Sequence, residues 1–175
     1  SDVCSSDLVD MGSMFSRASA FNQDLSKWDV SAVADMGSMF DSASAFDQDL
    51  SKWDVSAVTE MGSMFSCAFA FNQDLSKWNV SAVTKMDRMF ADAKAFNQDL
   101  SKWDVSAVSD MTFMFLGASS FKHELCGIAW MNSKAKKRGI FMDSPGSISS
   151  TECTTASPEG QGYLGYGPSV RGCMA

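Results

Sequence analysis

The sequence predicts an α/β solenoid of about five stacked 25-residue repeat units, each with a short parallel strand and a short helix. The segment AFNQDLSKWDVSAV begins at Ala20 and recurs nearly unchanged at Ala45, Ala70 and Ala95. Two further sets keep the same spacing, namely Met11, Met36, Met61, Met86 and Met111, and Phe15, Phe40, Phe65, Phe90 and Phe115. A fixed period of this length indicates a stacked array, because each unit buries its apolar face against its neighbours.

A short strand is predicted around Trp28. Trp28 and Val30 alternate with Asp29 and Ser31, which is the period-2 pattern of a strand with one buried face. Stacking would place equivalent strands side by side, about 4.8 Å apart. The interior would then consist of the columns that begin with Leu25, Trp28, Val30, Met36, Phe40 and Phe46.

A short helix is predicted to follow this strand. Its apolar residues are spaced by three and four, which places them on one helix face, and Ser31 is a suitable N-cap. Gly37 lowers the helix propensity by roughly 1 kcal/mol relative to Ala. The apolar residues are Val33, Met36, Met39, Phe40 and Ala43.

Four segments are expected. Residues 1–8 read like the translated sequence of a sequencing adapter, so we expect an artefact there, and residues 9–125 would form the repeats. Residues 126–142 resemble a degenerate terminal unit or cap, in which Ile128 replaces the tryptophan and Trp130 the following valine. Residues 143–175 are rich in Ser, Thr, Gly and Pro, which is typical of an irregular tail.

The overall charge excludes some functions. The 175-residue chain carries a net charge of −7, whereas nucleic-acid binding needs a basic stripe. The short basic run 134–138 is interpreted as the solvated side of the cap. The sequence contains no run of 18 apolar residues, so no membrane span is predicted. No signal peptide is visible.

Neither an enzyme nor a cofactor site is predicted. His123 is the only histidine and falls at a polar corner of its unit, so no catalytic triad is expected. The segment 160–165 matches G-x-G-x-x-G, but no strand–turn–helix context surrounds it.

Metal and modification sites are weighed as alternatives. Columns of Asp could bind calcium, although a charge-balanced surface with carboxylates that accept backbone N–H bonds is favoured. Asn79 begins an N-glycosylation sequon. A chance substitution of the Asp found at this position in the other units explains the Asn equally well. One disulfide could form among three cysteines, and the absence of a C-x-x-C pair argues against zinc. These cysteines are Cys126, Cys153 and Cys173.

The pattern L-x-x-W-x-V-S-x-V-T-x-M-G-x-M-F-x-x-A, seen at residues 50–68, resembles a leucine-rich repeat of the BspA-like surface-protein class. More narrowly, it resembles lipoprotein-type repeats with MF, FNQDLS and WDVS elements, over residues 8–142. The resemblance implies a leucine-rich-repeat-like solenoid of surface or secreted proteins that act in adhesion and protein binding, without catalytic residues. It implies an extracellular or cell-surface location.

The resemblance also implies that the strand face binds the partner, which would be a protein or a surface glycan. The alternative is a structural spacer or self-associating scaffold with no ligand of its own. The expected partner-binding residues are Lys27, Asp29, Ser31, Lys52, Asp54, Ser56, Lys77, Asn79, Ser81, Lys102, Asp104 and Ser106.

Overall fold

The units are stacked in register along the chain. The structure is a computed structural model, and it describes residues 9–153. Each of the first five units forms one isolated parallel β-bridge with the next, always at the same position. These bridges join Asp10 to Asp35, Asp35 to Glu60, Glu60 to Lys85, Lys85 to Asp110 and Asp110 to Lys136.

Regular secondary structure in the described part of the chain is confined to the C-terminal unit. It comprises β1 (Glu124–Leu125), α1 (Ile128–Asn132) and β2 (Ser147–Ile148). The strands β1 and β2 pair in parallel, with Glu124 opposite Ser147 and Leu125 opposite Ile148. The other described residues form turns and extended segments.

The predicted helix over 33–43 is wrong. Its place is taken by consecutive turns, in which the N–H groups of Met39 and Asp41 donate to the carbonyls of Met36 and Ser38 at 3.2 and 3.1 Å. Ser38 has a φ of 56°. This left-handed conformation stops a right-handed helix, and an equivalent residue recurs four positions later in the same unit, at Ser42.

Every second N–H group in these turns bonds to the next unit. Ser38 N–H donates to Gly62 O at 2.8 Å, and Phe40 N–H donates to Met64 O at 2.9 Å. The pattern repeats in each of the first five units, and we call the residues that form it the turn segments: 11–18, 36–43, 61–68, 86–93 and 111–118. Hydrogen bonds between units therefore replace those that a helix would make within one unit.

The predicted strand around Trp28 is also wrong. Trp28 N–H donates to Leu25 O at 3.0 Å, and Val33 N–H donates to Val30 O at 2.9 Å, so the segment consists of two successive turns. The inward orientation is nevertheless confirmed for Val30, Val55, Val80 and Val105, which are all buried. Turn geometry presents the apolar side chains to the core without a strand ladder.

Two parallel columns of phenylalanine fill the core. Phe40 stacks on Phe65 of the next unit with ring centroids 5.6 Å apart, and Phe46 stacks on Phe71 at 5.9 Å. Within one unit the two columns are in contact, because the rings of Phe40 and Phe46 lie 4.0 Å apart. Near-parallel rings at these spacings bury a large apolar area in each unit.

The buried tryptophans connect consecutive units through hydrogen bonds. The indole N–H groups of Trp53, Trp78 and Trp103 donate to the carbonyls of Leu25, Leu50 and Leu75 at 2.9–3.0 Å. Each bond satisfies a donor and an acceptor inside the core. Trp28, in the first described unit, is 38% exposed.

The C-terminal unit also forms the indole hydrogen bond to the preceding unit, but with a tryptophan at a different position of the repeat. Trp130 is fully buried, and its indole N–H donates to Leu100 O at 2.8 Å. The sequence pattern had put Ile128 in this place, but Ile128 is exposed. The extra turn of α1 brings Trp130 into the tryptophan column, which corrects the predicted alignment.

The predicted start of the irregular tail at residue 143 is also wrong. Strand β2 pairs with β1, Ser149 N–H donates to Leu125 O at 3.0 Å, and a disulfide joins Cys126 to Cys153. The last unit therefore extends to Cys153. The predictions made for residues 1–8 and 154–175 fall outside the described residues.

We expect Trp78→Phe to lower the free energy of unfolding by about 1–3 kcal/mol, since it leaves the buried Leu50 carbonyl without its donor. Trp28→Phe is the matched control, because Trp28 is partly exposed and its indole N–H has no acceptor among the described residues. Urea unfolding of both variants checks this. Equal losses would show that the buried hydrogen bond contributes little.

Candidate functional site

The twelve residues predicted to bind a partner form one exposed, repeated surface. We call this surface the polar face, and it repeats Lys, Asp or Asn, and Ser in four consecutive units. The structure leaves all twelve exposed: Lys27, Asp29, Ser31, Lys52, Asp54, Ser56, Lys77, Asn79, Ser81, Lys102, Asp104 and Ser106. The turns around each tryptophan present them to solvent.

Each acidic residue of the polar face is oriented by its own serine. Asp29 Oδ1 accepts hydrogen bonds from the Ser31 hydroxyl at 2.7 Å and from its backbone N–H at 3.1 Å. These bonds hold the pKa of Asp29 below its ordinary value of 3.8. Asn79 Oδ1 receives the same two bonds from Ser81. An Asn therefore preserves this turn while removing the charge.

The charged side chains of the polar face form no salt bridge within residues 9–153, although each of its lysines interacts electrostatically with a neighbouring aspartate. The three salt bridges found there join Lys85 to Glu60, Lys94 to Asp92 and Lys136 to Asp110. None involves the polar face. Its four lysines and three aspartates can therefore make ion pairs with another molecule.

The corner carboxylates have a structural role. The Oδ1 atoms of Asp24, Asp49, Asp74 and Asp99 each accept the backbone N–H of the serine two residues later, at 2.8–2.9 Å. Hydrogen bonding to the backbone N–H and then the hydroxyl of Ser26 lowers the pKa of Asp24, and hydrogen bonding to the hydroxyl and then the backbone N–H of Ser51 lowers the pKa of Asp49. No group of three His, Cys, Asp or Glu residues in the described range is placed to hold a metal ion.

A ladder of side-chain amides and one carboxylate supports the same corner. Asn22 Oδ1 accepts the backbone N–H of Asp47 at 3.0 Å, Asp47 Oδ1 accepts that of Asn72 at 2.9 Å, and the pattern continues at Asn97. His123 lies at the end, with Nε2 3.1 Å from Asn97 O. His123 is half-buried in this ladder and not at the solvated corner that the sequence suggested.

A groove adjoins the C-terminal end of the polar face. Its volume is about 280 Å³. The groove exists because α1 pushes Ile128 out to the surface beside Asp104. Sequence reasoning missed it, since the aligned pattern placed Ile128 in the core. The lining residues are Asp104, Ser106, Ile128, Ala129, Asn132, Ser133 and Lys134.

A second cavity, of about 200 Å³, lies between two turn segments. The Phe113 ring borders it, with the guanidinium carbons of Arg88 and Arg138 at 5.8 and 5.9 Å from the ring centroid. The sequence signal was the change from Gly-Ser in the first three units to Asp87-Arg88 and Thr112-Phe113. The cavity is lined by Asp87, Arg88, Asp110, Thr112 and Phe113.

The basic run 134–138 is partly engaged within the chain. Lys136 Nζ lies 3.6 Å from Asp110 Oδ2, and Lys137 Nζ donates to Ser133 O. Burial, followed by the nearby charge of Lys134, lowers the pKa of Lys137. The expectation of a solvated basic side is therefore wrong for Lys137, which is half-buried, whereas the Lys136 side chain is 78% exposed.

The expectation of one disulfide among the C-terminal cysteines is confirmed by the Cys126–Cys153 bond. Cys67 is a free thiol, half-buried in its turn segment. The candidate glycosylation site Asn79 is exposed. Cys173 and the glycine-rich segment 160–165 lie outside the described residues.

Acid should destabilise the chain. Carboxylates whose pKa is lowered on folding contribute stability above their unfolded pKa, and this contribution is lost as the pH falls through the lower folded value. Thermal unfolding between pH 7 and 2.5 should show a melting temperature that declines below about pH 4. The carboxylates concerned are Asp24, Asp29, Asp49, Asp54, Asp74, Asp99, Asp104 and Asp110.

The triple variant Asp29→Asn, Asp54→Asn and Asp104→Asn keeps the turn geometry, as Asn79 does, but does not titrate. Its melting temperature should decline less on acidification. Parallel curves for the variant and the parent chain would contradict a stabilising role for these carboxylates.

The comparisons with known proteins identify a family. A family model described as "Mycoplasma protein of unknown function, DUF285" matches residues 3–74 and again 50–147. No curated protein and no solved structure matches the chain. Among residues 9–153, no helix has the length and apolar character needed to cross a bilayer. The chain belongs to the DUF285 family of repeat proteins.

Proposed function

We propose that the chain is a non-catalytic binding module of a surface or secreted protein, and that it recognises a protein or a surface glycan through the polar face. We further propose that its stack of units is a solenoid related to the BspA-like leucine-rich repeats. The in-register bridges and the shared 25-residue motif support this relationship.

One observation carries the binding proposal. The polar face presents seven charged side chains in register, and none of them forms a salt bridge in the described part of the chain. The serine hydrogen bonds hold the carboxylates in fixed orientations, so little side-chain freedom is lost when a partner binds. A regular array of alternating charges suits an extended or repetitive partner.

Two features favour an extracellular setting and recognition at the C-terminal end. The Cys126–Cys153 disulfide is typical of oxidising compartments. The groove beside Asp104 adds an apolar contact, Ile128, to an otherwise polar surface. A partner that covers the last two units would gain both ion pairs and apolar burial.

We expect Asp54→Asn with Asp104→Asn to weaken partner binding about 2- to 30-fold, since two exposed ion pairs contribute roughly 0.2–1 kcal/mol each. Binding is measured on a panel of extracellular-matrix proteins and a glycan array. The matched control is Asp49→Asn with Asp74→Asn, which removes two charges from turn corners outside the polar face. Equal affinities for the two double variants would contradict the proposed binding face.

Deleting residues 45–69, one complete unit, separates recognition from a spacer role. A partner that contacts several units should lose most of its affinity, because one of the four units that carry the polar face, with Lys52 and Asp54, is removed. A spacer or scaffold should keep its function at a shorter length. Adhesion of beads coated with each form to the best ligand of the panel measures the difference, and unchanged adhesion would favour the spacer.

A further inference from the structure

The turn segments differ between units at several surface positions. The polar face repeats Lys, Asp or Asn, and Ser almost without change, whereas the third position of the turn segment, which is exposed or half-buried, changes in the fourth and fifth units. This position is serine in the first three units and then Arg88 and Phe113: Ser13, Ser38, Ser63, Arg88, Phe113. Stacking does not require this change, because the hydrogen bonds between units are the same throughout.

Arg88 and Phe113 occupy an unfavourable backbone conformation. Their φ values are 54° and 59°, in the left-handed region that bulky residues rarely adopt. Such a conformation costs roughly 1–2 kcal/mol per residue. Serine adopts the same conformation at Ser13, Ser38 and Ser63, so the backbone path does not require a large side chain at this position.

The Phe113 ring packs against the last unit. A Cβ atom at Gly139 would lie 2.5 Å from Phe113 Cε1, so the ring lies directly against the Gly139 backbone. The guanidinium groups of Arg88 and Arg138 flank the ring at 5.8 and 5.9 Å. We call Arg88, Phe113 and Arg138 the Arg–Phe cluster.

The guanidinium groups of the cluster are available to a ligand. Neither arginine forms a salt bridge within residues 9–153. The nearby Asp110 is already paired, with Lys136 at 3.6 Å and with the Thr112 backbone N–H at 2.9 Å. Asp87 and Asp110 contribute two negative charges to the cavity lining, whereas Arg88, Arg138 and Lys136 contribute three positive charges at or beside it, so the local charge is slightly positive on a chain that is acidic overall.

We propose that the Arg–Phe cluster binds an acidic peptide segment of a partner protein, in which carboxylates flank an apolar side chain. The carboxylates would pair with Arg88 and Arg138, since guanidinium groups bind carboxylates in a planar, bidentate manner. The apolar side chain would contact Phe113 over the cavity of about 200 Å³, which suits one side chain. Aromatic residues and arginine are the residues enriched at energetic centres of protein interfaces.

A polyanion is disfavoured as the ligand. The net charge of −7 opposes the approach of a chain with many negative charges, and Asp87 lies at the site itself. A short segment with two carboxylates experiences less of this repulsion. The cluster shares no residue with the polar face, so the proposal does not depend on the function proposed above.

The test uses the peptide Ac-Glu-Phe-Glu-NH2, titrated into the whole chain and followed by NMR shifts of the Phe113 ring. We expect saturable binding that weakens at high salt, and at least tenfold weaker binding to Ac-Gln-Phe-Gln-NH2 and Ac-Lys-Phe-Lys-NH2. Isothermal titration calorimetry gives the same comparison for variants that lack the ring.

The chain supplies its own matched variant. Arg88→Ser with Phe113→Ser restores the residue found at Ser13, Ser38 and Ser63, which have the same left-handed φ and the same stacking. This variant should fold and should bind the acidic peptide at least tenfold more weakly. Lys122→Ser removes an exposed cation that belongs neither to the cluster nor to the polar face, and this variant should bind the peptide like the parent chain.

Three results would overturn the proposal. They are no saturable binding of the acidic peptide to the parent chain, unchanged affinity in the double serine variant, and tighter binding of a heparin tetrasaccharide than of the peptide. The last result would assign the cluster to an anionic glycan instead. None of the three bears on binding at the polar face, so failure here is distinguishable from failure of the proposed function.

Discussion

The hydrogen bonds between neighbouring turn segments are the constraint on which the rest of the structure depends. Every second N–H group donates to the unit that follows, as Ser38 does to Gly62 and Phe40 does to Met64. The intervening N–H groups close tight turns within their own unit, so the backbone alternates between local and long-range partners. This alternation requires residues with positive φ four positions apart, which explains why small residues such as Ser38 and Ser42 are frequent there.

The aromatic and tryptophan columns follow from this constraint. Because each unit must repeat the same backbone path, every phenylalanine of the two core columns lies above its equivalent in the next unit, at 5.5–5.7 Å along the Phe40 column. The indole N–H groups reach the preceding unit in the same way. The stack tolerates one inserted residue, since Met111 N–H bonds to Lys136 O across a link one residue longer than in earlier units. The register is therefore held by contacts and not by chain length alone.

The polar side chains divide into two groups with different consequences for recognition. The aspartates of the corners, and the amide ladder from Asn22 to Asn97, satisfy backbone N–H groups and hold the turns in shape. Other exposed groups do not hydrogen-bond to backbone N–H groups and are free to contact a partner. They are the lysines of the polar face, the second oxygens of its carboxylates and the guanidinium groups of the Arg–Phe cluster. The last unit adds further asymmetry, because α1 opens a groove beside Asp104 and the basic run contacts Asp110. Specific recognition is therefore expected toward the C-terminal end, where the units differ.

The sequence by itself determined the repeat period, the inward-facing columns and the exposed polar face, because these depend on side-chain identity and on a strict 25-residue spacing. Phe40, Val55 and Asp54 were placed correctly from pattern alone. The local backbone was not, since apolar spacings of three and four at Met36, Met39 and Phe40 arise equally from a helix and from successive turns. Only the tertiary structure decided between them, because the turns are stabilised by acceptors 24 residues away that no local pattern encodes. The same reason explains the C-terminal unit: the placement of Trp130, the exposure of Ile128 and the contact between Phe113 and Gly139 all depend on which units become neighbours in space.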